Sequence, residues 1–213
     1  MPFKRVVLYL TTPLLLLTTI IVFHYASLFF GQKPGYFIGF LFYWLFWCFI
    51  VPLITIGWTE IKSSFLKVPK RISQMTFMEL IMLAIPLLLG YGYAFPKALH
   101  SANLIIIISS LLLAIINALF EEILWRATFI KFFGKNIFMS LVYPTIGFGI
   151  WHYSPQTIYP SHTPGTTIAF IGVATAVGLF YGLIARKYNS IFWTTITHIL
   201  FDFSGLGGRL YFT

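Results

Sequence analysis

The chain has 213 residues, one cysteine and a net charge of +9, and it is 59% hydrophobic, 20% aromatic and only 9% charged. A mean hydropathy of +0.88 excludes an ordinary soluble globule, in which about a quarter of the residues are charged. The lone Cys48 excludes an intrachain disulfide framework and a cysteine-built metal site. The basic residues occupy short breaks between apolar runs, with no single basic patch, so the charge implies no nucleic-acid partner.

Seven apolar runs follow one another, over roughly 6–30, 36–57, 77–96, 103–133, 137–153, 166–185 and 190–204. Most are about the 20 residues a helix needs to cross a ~30 Å hydrocarbon core, and none shows the short alternation of a membrane barrel. The first run follows Lys4-Arg5 and is too long for a signal-peptide core, so it reads as a retained helix. Cys48, in the second run, reads as an inert lipid- or core-facing residue. Residues 58–76 form a basic connector, partly helical and lying on the inner leaflet, with Glu60 and Glu79 solvated beside it. Gly134-Lys135-Asn136 turns run four into run five. The Pro-, Ser- and Thr-rich stretch from Tyr153 to Gly165 reads as a loop, and Gly178 and Gly182 in run six as a small-residue packing pair.

Charge tests this layout. With the N-terminus inside, the inner segments hold Lys4, Arg5, Lys62, Lys67, Lys70, Arg71, Lys131, Lys135, Arg186 and Lys187, and the outer ones only Lys33, Lys97 and Arg209. That bias fits the positive-inside rule with a cytoplasmic N-terminus. The expected fold is all-α: a polytopic integral membrane bundle of about seven helices. It forms one membrane domain over 1–213, with N-terminal helices over 1–100 and motif-bearing helices over 103–204.

Of five acidic residues, three lie inside apolar runs in short motifs: Glu121 and Glu122 with Arg126 four residues after the second, and Asp202 four after His198. A further motif, Phe148-Gly149-Ile150-Trp151-His152, ends run five. Ionisable groups in lipid cost about 2.5–3.5 kcal/mol each at a helix centre, so their default reading is functional. At 1.5 Å per residue, Glu121, His152, His198 and Asp202 all fall in one layer near the bilayer middle. Residues four apart share a helix face, which pairs His198 with Asp202, Glu122 with Arg126, and Glu121 with Asn117 and Trp125. Adjacent Glu121 and Glu122 point about 100° apart. One division puts Glu121 towards a cavity and Glu122 against Arg126.

These three motifs, in this order, resemble those of the CPBP family of membrane proteins, the CAAX proteases and bacteriocin-processing or Abi proteins. The patterns are Glu-Glu-x-x-x-Arg, Phe-x-x-x-His and His-x-x-x-Asn/Asp, here over Glu121 to Asp202; the resemblance does not extend visibly to residues 1–100. It implies an intramembrane endopeptidase, either a metalloprotease or a glutamate-dependent enzyme. Glu121 would activate water; His152 and His198 would be metal ligands or oxyanion-stabilising groups; Glu122 and Arg126 would support them. Asp202 stands where many relatives have Asn, and an ionised Asp cannot donate to an oxyanion. It would orient His198 or accept from substrate.

The chemistry of the residues agrees with a hydrolase. Two His and one Glu (His152, His198, Glu121) suffice for a three-ligand zinc site with an open position, while a metal-free Glu-activated water is the other reading. The expected substrate is a peptide or membrane-anchored protein segment, processed in CAAX fashion or in bacteriocin or pheromone maturation and self-immunity, at a bacterial cell membrane. Two rival classes stand beside it: a proton- or cation-coupled transporter, and a membrane partner that binds without catalysis.

Overall fold

The computed structural model describes residues 2–67, 69, 71–100, 102–160 and 166–212. Val68 and Lys70 of the expected break, and residues 161–165 of the expected loop with His162, lie outside the described residues. All regular structure among the described residues is helical. In chain order the helices are α1 (Pro2–Phe30), α2 (Gln32–Thr55), α3 (Trp58–Leu66), α4 (Phe77–Leu99), α5 (Leu104–Phe133), α6 (138–151), α7 (Thr166–Tyr188) and α8 (Phe192–Ser204).

Five of these, α1, α2, α4, α5 and α7, are long and apolar enough to cross a membrane. The fifth and seventh expected runs are also helical, as α6 and α8, but shorter than the other five. The outward faces agree with lipid as solvent. Leu10, Leu14, Leu17 and Ile21 on α1, and Ile105, Ile108 and Leu112 on α5, are exposed in rows, a surface that water would penalise. The protein is integral to the membrane.

Helix ends have local causes. Asn103 caps α5 by accepting from the Ile106 amide at 2.9 Å, and Thr76 with Glu79 forms a reciprocal capping box at the start of α4. Gly134 closes α5 with a positive φ of 53°, a conformation glycine adopts without steric cost. α1 and α2 cross closely because Gly35 and Gly39 carry no side chain: a Cβ there would meet the Ser27 backbone and the Phe23 ring.

Four helices contain a wide, π-type turn: Tyr43–Ile50, Gly90–Ala94, Ile123–Thr128 and Phe138–Val142. Three of them run up to a proline, Pro52, Pro96 or Pro144, two residues beyond. Proline lacks an N–H and its ring crowds the carbonyl four residues earlier, so a widened turn relieves it. The exception, Ile123–Thr128, has no proline. It follows Glu121-Glu122 directly, and Thr128 Oγ1 donates to the Ile123 carbonyl at 2.8 Å, five residues back. Such turns recur at functional sites.

One end of the bundle is tied by polar contacts. Lys4 Nζ donates to the Thr55 carbonyl at 3.1 Å, Lys131 pairs with Glu60 at 3.2 Å, and Arg186 Nε donates to Ser140 at 3.0 Å. The Ile191 amide donates to the Ser64 carbonyl at 3.0 Å. These contacts bring together the segments expected to be inner, and that end is called the basic end below.

Two expectations need correction. Glu79 is buried, only 5% exposed; besides its cap it pairs with Lys187 and accepts from Tyr188 at 2.9 Å. A cap position turned towards a neighbouring helix supplied those partners. The stretch after His152 is also less loop-like than expected, since Tyr153–Gln156 forms a further helical turn.

Candidate active site

The long apolar helix α5 presents its polar residues in two directions, as the 100° step between neighbours requires. Glu121 and Glu122 are both buried, 1% and 0% exposed. Glu121 holds three neutral donors. Its Oε1 accepts from Trp151 Nε1 at 2.9 Å and from the Tyr43 hydroxyl at 3.1 Å. Its Oε2 accepts from Asn117 Nδ2 at 3.1 Å, one turn back on α5. The Tyr43 hydroxyl in turn accepts from Trp125 Nε1 at 2.8 Å, which commits its hydrogen to Glu121. The Tyr43 ring stacks on Trp151, centroids 3.5 Å apart and 16° from parallel.

Glu122 has a different set. Its Oε1 lies 3.1 Å from Arg126 Nη1 and 3.0 Å from His198 Nδ1, and its Oε2 accepts from Thr194 at 2.8 Å. The Arg126 guanidinium also lies over the Phe148 ring, 4.2 Å from its centroid, a cation–π contact. Gly178 makes room for this stack, because a Cβ there would come within 2.8 Å of Phe148 Cδ1.

His198 joins the two carboxylates. A carboxylate only accepts, so the bond to Glu122 assigns the hydrogen on Nδ1. Nε2 then sits 3.5 Å from Glu121 Oε2 and 3.5 Å from Asp202 Oδ1. Asp202 Oδ2 accepts from Asn117 Nδ2 at 2.8 Å, so the Asn117 amide bridges Glu121 and Asp202. Trp44 Nε1 fixes that amide by donating to its Oδ1 at 2.9 Å.

Around His198 Nε2, then, two carboxylate oxygens face a ring nitrogen with no donor between them unless a cation or a proton sits there. Glu121, His198 and Asp202 place one ligand atom each within 4.8 Å of one another. Zinc bonds of about 2.0–2.2 Å put tetrahedral ligand atoms about 3.3–3.6 Å apart, which the two 3.5 Å separations match. The Glu122 contact to Nδ1 supplies the outer carboxylate that orients a metal-binding imidazole. The residues fit a divalent cation. The group differs from the one expected from sequence: Asp202 takes the third place and His152 is outside it.

His152 stands apart from that trio. Its Nδ1 lies 2.7 Å from the Phe148 carbonyl, which can only accept, so neutral His152 keeps Nε2 as an acceptor. It lines a cavity of about 450 Å³ together with Glu121 and Asp202. The rest of the lining is mainly aromatic and apolar, including Tyr36, Phe40, Trp44 and Phe170. Glu121 therefore faces a cavity that also holds His152 and Asp202, while Glu122 and Arg126 lie behind it.

Sequence reasoning missed Tyr43, Trp44, Thr194 and the indole N–H of Trp151. Thr194 precedes His198 by four residues on one helix face, a spacing that could have shown it. Nothing in the sequence marks Tyr43, which reaches Glu121 from 78 residues away through the wide turn of α2.

Residues 103–204 match the family model described as type II CAAX prenyl endopeptidase Rce1-like. The matched segment begins at the cap of α5 and ends with α8, so it includes all three motifs. Tyr43 and Trp44 lie outside it. No curated protein and no solved structure matches the chain.

Proposed function

We propose that this protein is an intramembrane endopeptidase that hydrolyses a peptide bond with water activated by Glu121. The observation that carries the reading is the convergence of Glu121, His198 and Asp202, from two helices, within 4.8 Å. The match of residues 103–204 to an endopeptidase family supports it.

Peptide hydrolysis needs a base for water, a donor for the leaving amine and charge stabilisation at the carbonyl. Glu121 takes a proton from the attacking water as its oxygen bonds to the carbonyl carbon. When the C–N bond breaks, the same carboxyl returns that proton to the leaving amine. Tyr43, Trp151 and Asn117 hold Glu121 in one rotamer while this happens. His152, with Nδ1–H committed to the Phe148 carbonyl, offers Nε2 to the attacking water or to a substrate N–H. In the alternative, metal-dependent form of this reading, Glu121, His198 and Asp202 would instead hold a divalent cation, which when bound supplies Lewis acidity and a more acidic water. Glu122, Arg126 and Thr194 keep the His198 ring in place.

In this reading α6 and α8 complete a seven-helix crossing, and residues 1–213 act as one membrane domain. The N-terminus is cytoplasmic, in a bacterial cell membrane. The substrate is a peptide or a membrane-associated protein segment, cut in CAAX-type or bacteriocin- or pheromone-type processing. The test is cleavage of a quenched-fluorescent peptide library by purified protein, before and after chelation and with Glu121→Gln. Cleavage by wild type and none by Glu121→Gln is the expected result. Equal cleavage by both ends the proposal. Loss on chelation with recovery on added zinc assigns the metal mechanism, and full activity in chelator assigns the metal-free one.

A further inference from the structure

The cavity has a direction. Along α5 it is lined by Ser110, Ala114, Asn117 and Glu121, that is, by the half of the helix that starts at Leu104. Beyond Glu121, every residue to Ile130 is buried, with Trp125 stacked on Phe129 at 6.4 Å and edge-on to Phe148 at 6.3 Å. That half runs on to Lys131, which is paired with Glu60. The site is thus sealed towards the basic end and hollow towards the other.

The remaining lining agrees on every helix. Tyr36 is near the start of α2, which ends at Thr55 beside Lys4. Tyr159 follows the end of α6, and Phe170 is near the start of α7, which ends at Lys187 and Glu79. Gly207 and Tyr211 follow α8, whose start is tied to Ser64. The walls therefore come from helix ends opposite the basic end. The lining contains no Lys or Arg, and the segments at that end hold only Lys33, Lys97 and Arg209. Cytoplasmic segments carry the excess of Lys and Arg, so the hollow end faces away from the cytoplasm.

We infer that the active-site cavity is entered from the extracytoplasmic side and takes an apolar polypeptide segment presented there, a substrate assignment that rests on the peptidase reading. This narrows the substrates proposed above: a CAAX-type chain end displayed in the cytoplasm would meet the sealed end, whereas an exported peptide of the bacteriocin or pheromone type would meet the hollow one. The aromatic walls suit an apolar segment, and the carboxylates at the floor disfavour acidic ones by like-charge repulsion.

Two cysteine variants test the route without depending on activity. Gly207 lines the cavity, is exposed, and has open space where a Cβ would go. Lys62 is exposed at the basic end, and the native Cys48, 0% exposed, stays unlabelled. A membrane-impermeant maleimide added to intact bacterial cells should label Gly207→Cys at once. It should label Lys62→Cys only after permeabilisation. The reverse pattern overturns the inference. With purified protein, a bulky maleimide on Gly207→Cys should slow cleavage of an apolar quenched peptide about tenfold or more, because a filled cavity excludes substrate. The same label on Lys62→Cys should not. Equal slowing of neither or both overturns the entry route. The expected labelling pattern with no cleavage by unlabelled wild type sinks the peptidase reading instead, and the substrate half of the inference with it.

Discussion

The two sides of the bundle meet at adjacent residues, Glu121 and Glu122, and provide for them differently. On the cavity side Glu121 is held by neutral dipoles from Tyr43, Trp151 and Asn117. On the sealed side Glu122 is held by a guanidinium, an imidazole and a hydroxyl. Dipoles fix the direction of a carboxylate and leave it free to change charge. A buried guanidinium partner requires the charge to stay. The difference teaches that one Glu-Glu pair can combine a carboxylate held by neutral groups with one held by a cation.

Glu121→Gln should have the largest effect on turnover. It should lower peptide cleavage about a thousandfold or more by removing the base, while thermal unfolding in detergent stays close to wild type. A variant that still cleaves within tenfold would show that the cavity side is structural too.

Glu122→Gln should break the other side. It leaves Arg126, 2% exposed, without its anion, and removing one partner of a buried pair costs about 3–5 kcal/mol. Thermal or denaturant unfolding measures this, and Glu122→Gln with Arg126→Met should recover most of the loss. An unchanged melting temperature in the single variant would erase the contrast between the two carboxylates. A smaller effect is expected for Tyr43→Phe. Losing a hydrogen bond to a charged group costs about 1.5–3 kcal/mol, so kcat should fall about ten- to a hundredfold. KM should change little, because the ring still stacks on Trp151, while unfolding should shift by about 1–3 kcal/mol, because the buried Trp125 N–H loses its acceptor.

The contrast also marks what the sequence could and could not say. Helix identity was legible because apolar length alone decides it, and α5 and α7 begin within a residue of their expected positions. The pairing of Glu122 with Arg126 follows from a fixed four-residue step on one helix. Contacts set by tertiary approach had no such rule behind them. Tyr43 meets Glu121 across 78 residues of chain, from the start of the wide turn in α2, and His152 turns its Nδ1 to the Phe148 carbonyl while Asp202 lies beside His198. Glu79 read as solvated for the same reason: its Lys187 partner is distant in sequence.

The finest probe of the division is Gly178→Ala on α7. Its Cβ would lie 2.8 Å from Phe148 Cδ1 and 3.4 Å from Arg126 Nη2, both on the sealed side. Overpacking costs about 1–3 kcal/mol, and a Phe ring that can tilt away from the new methyl favours the low end. Unfolding should therefore shift by about 1 kcal/mol. Phe148 also carries the carbonyl that holds His152 Nδ1 at 2.7 Å, so a ring displacement that reached the backbone would alter the cavity side as well. Cleavage kinetics decide between the two. An unchanged kcat with lowered stability means that the sealed side absorbs the methyl. A kcat that falls along with stability means that α6 transmits strain from Arg126 to His152, and the two sides form one mechanical unit.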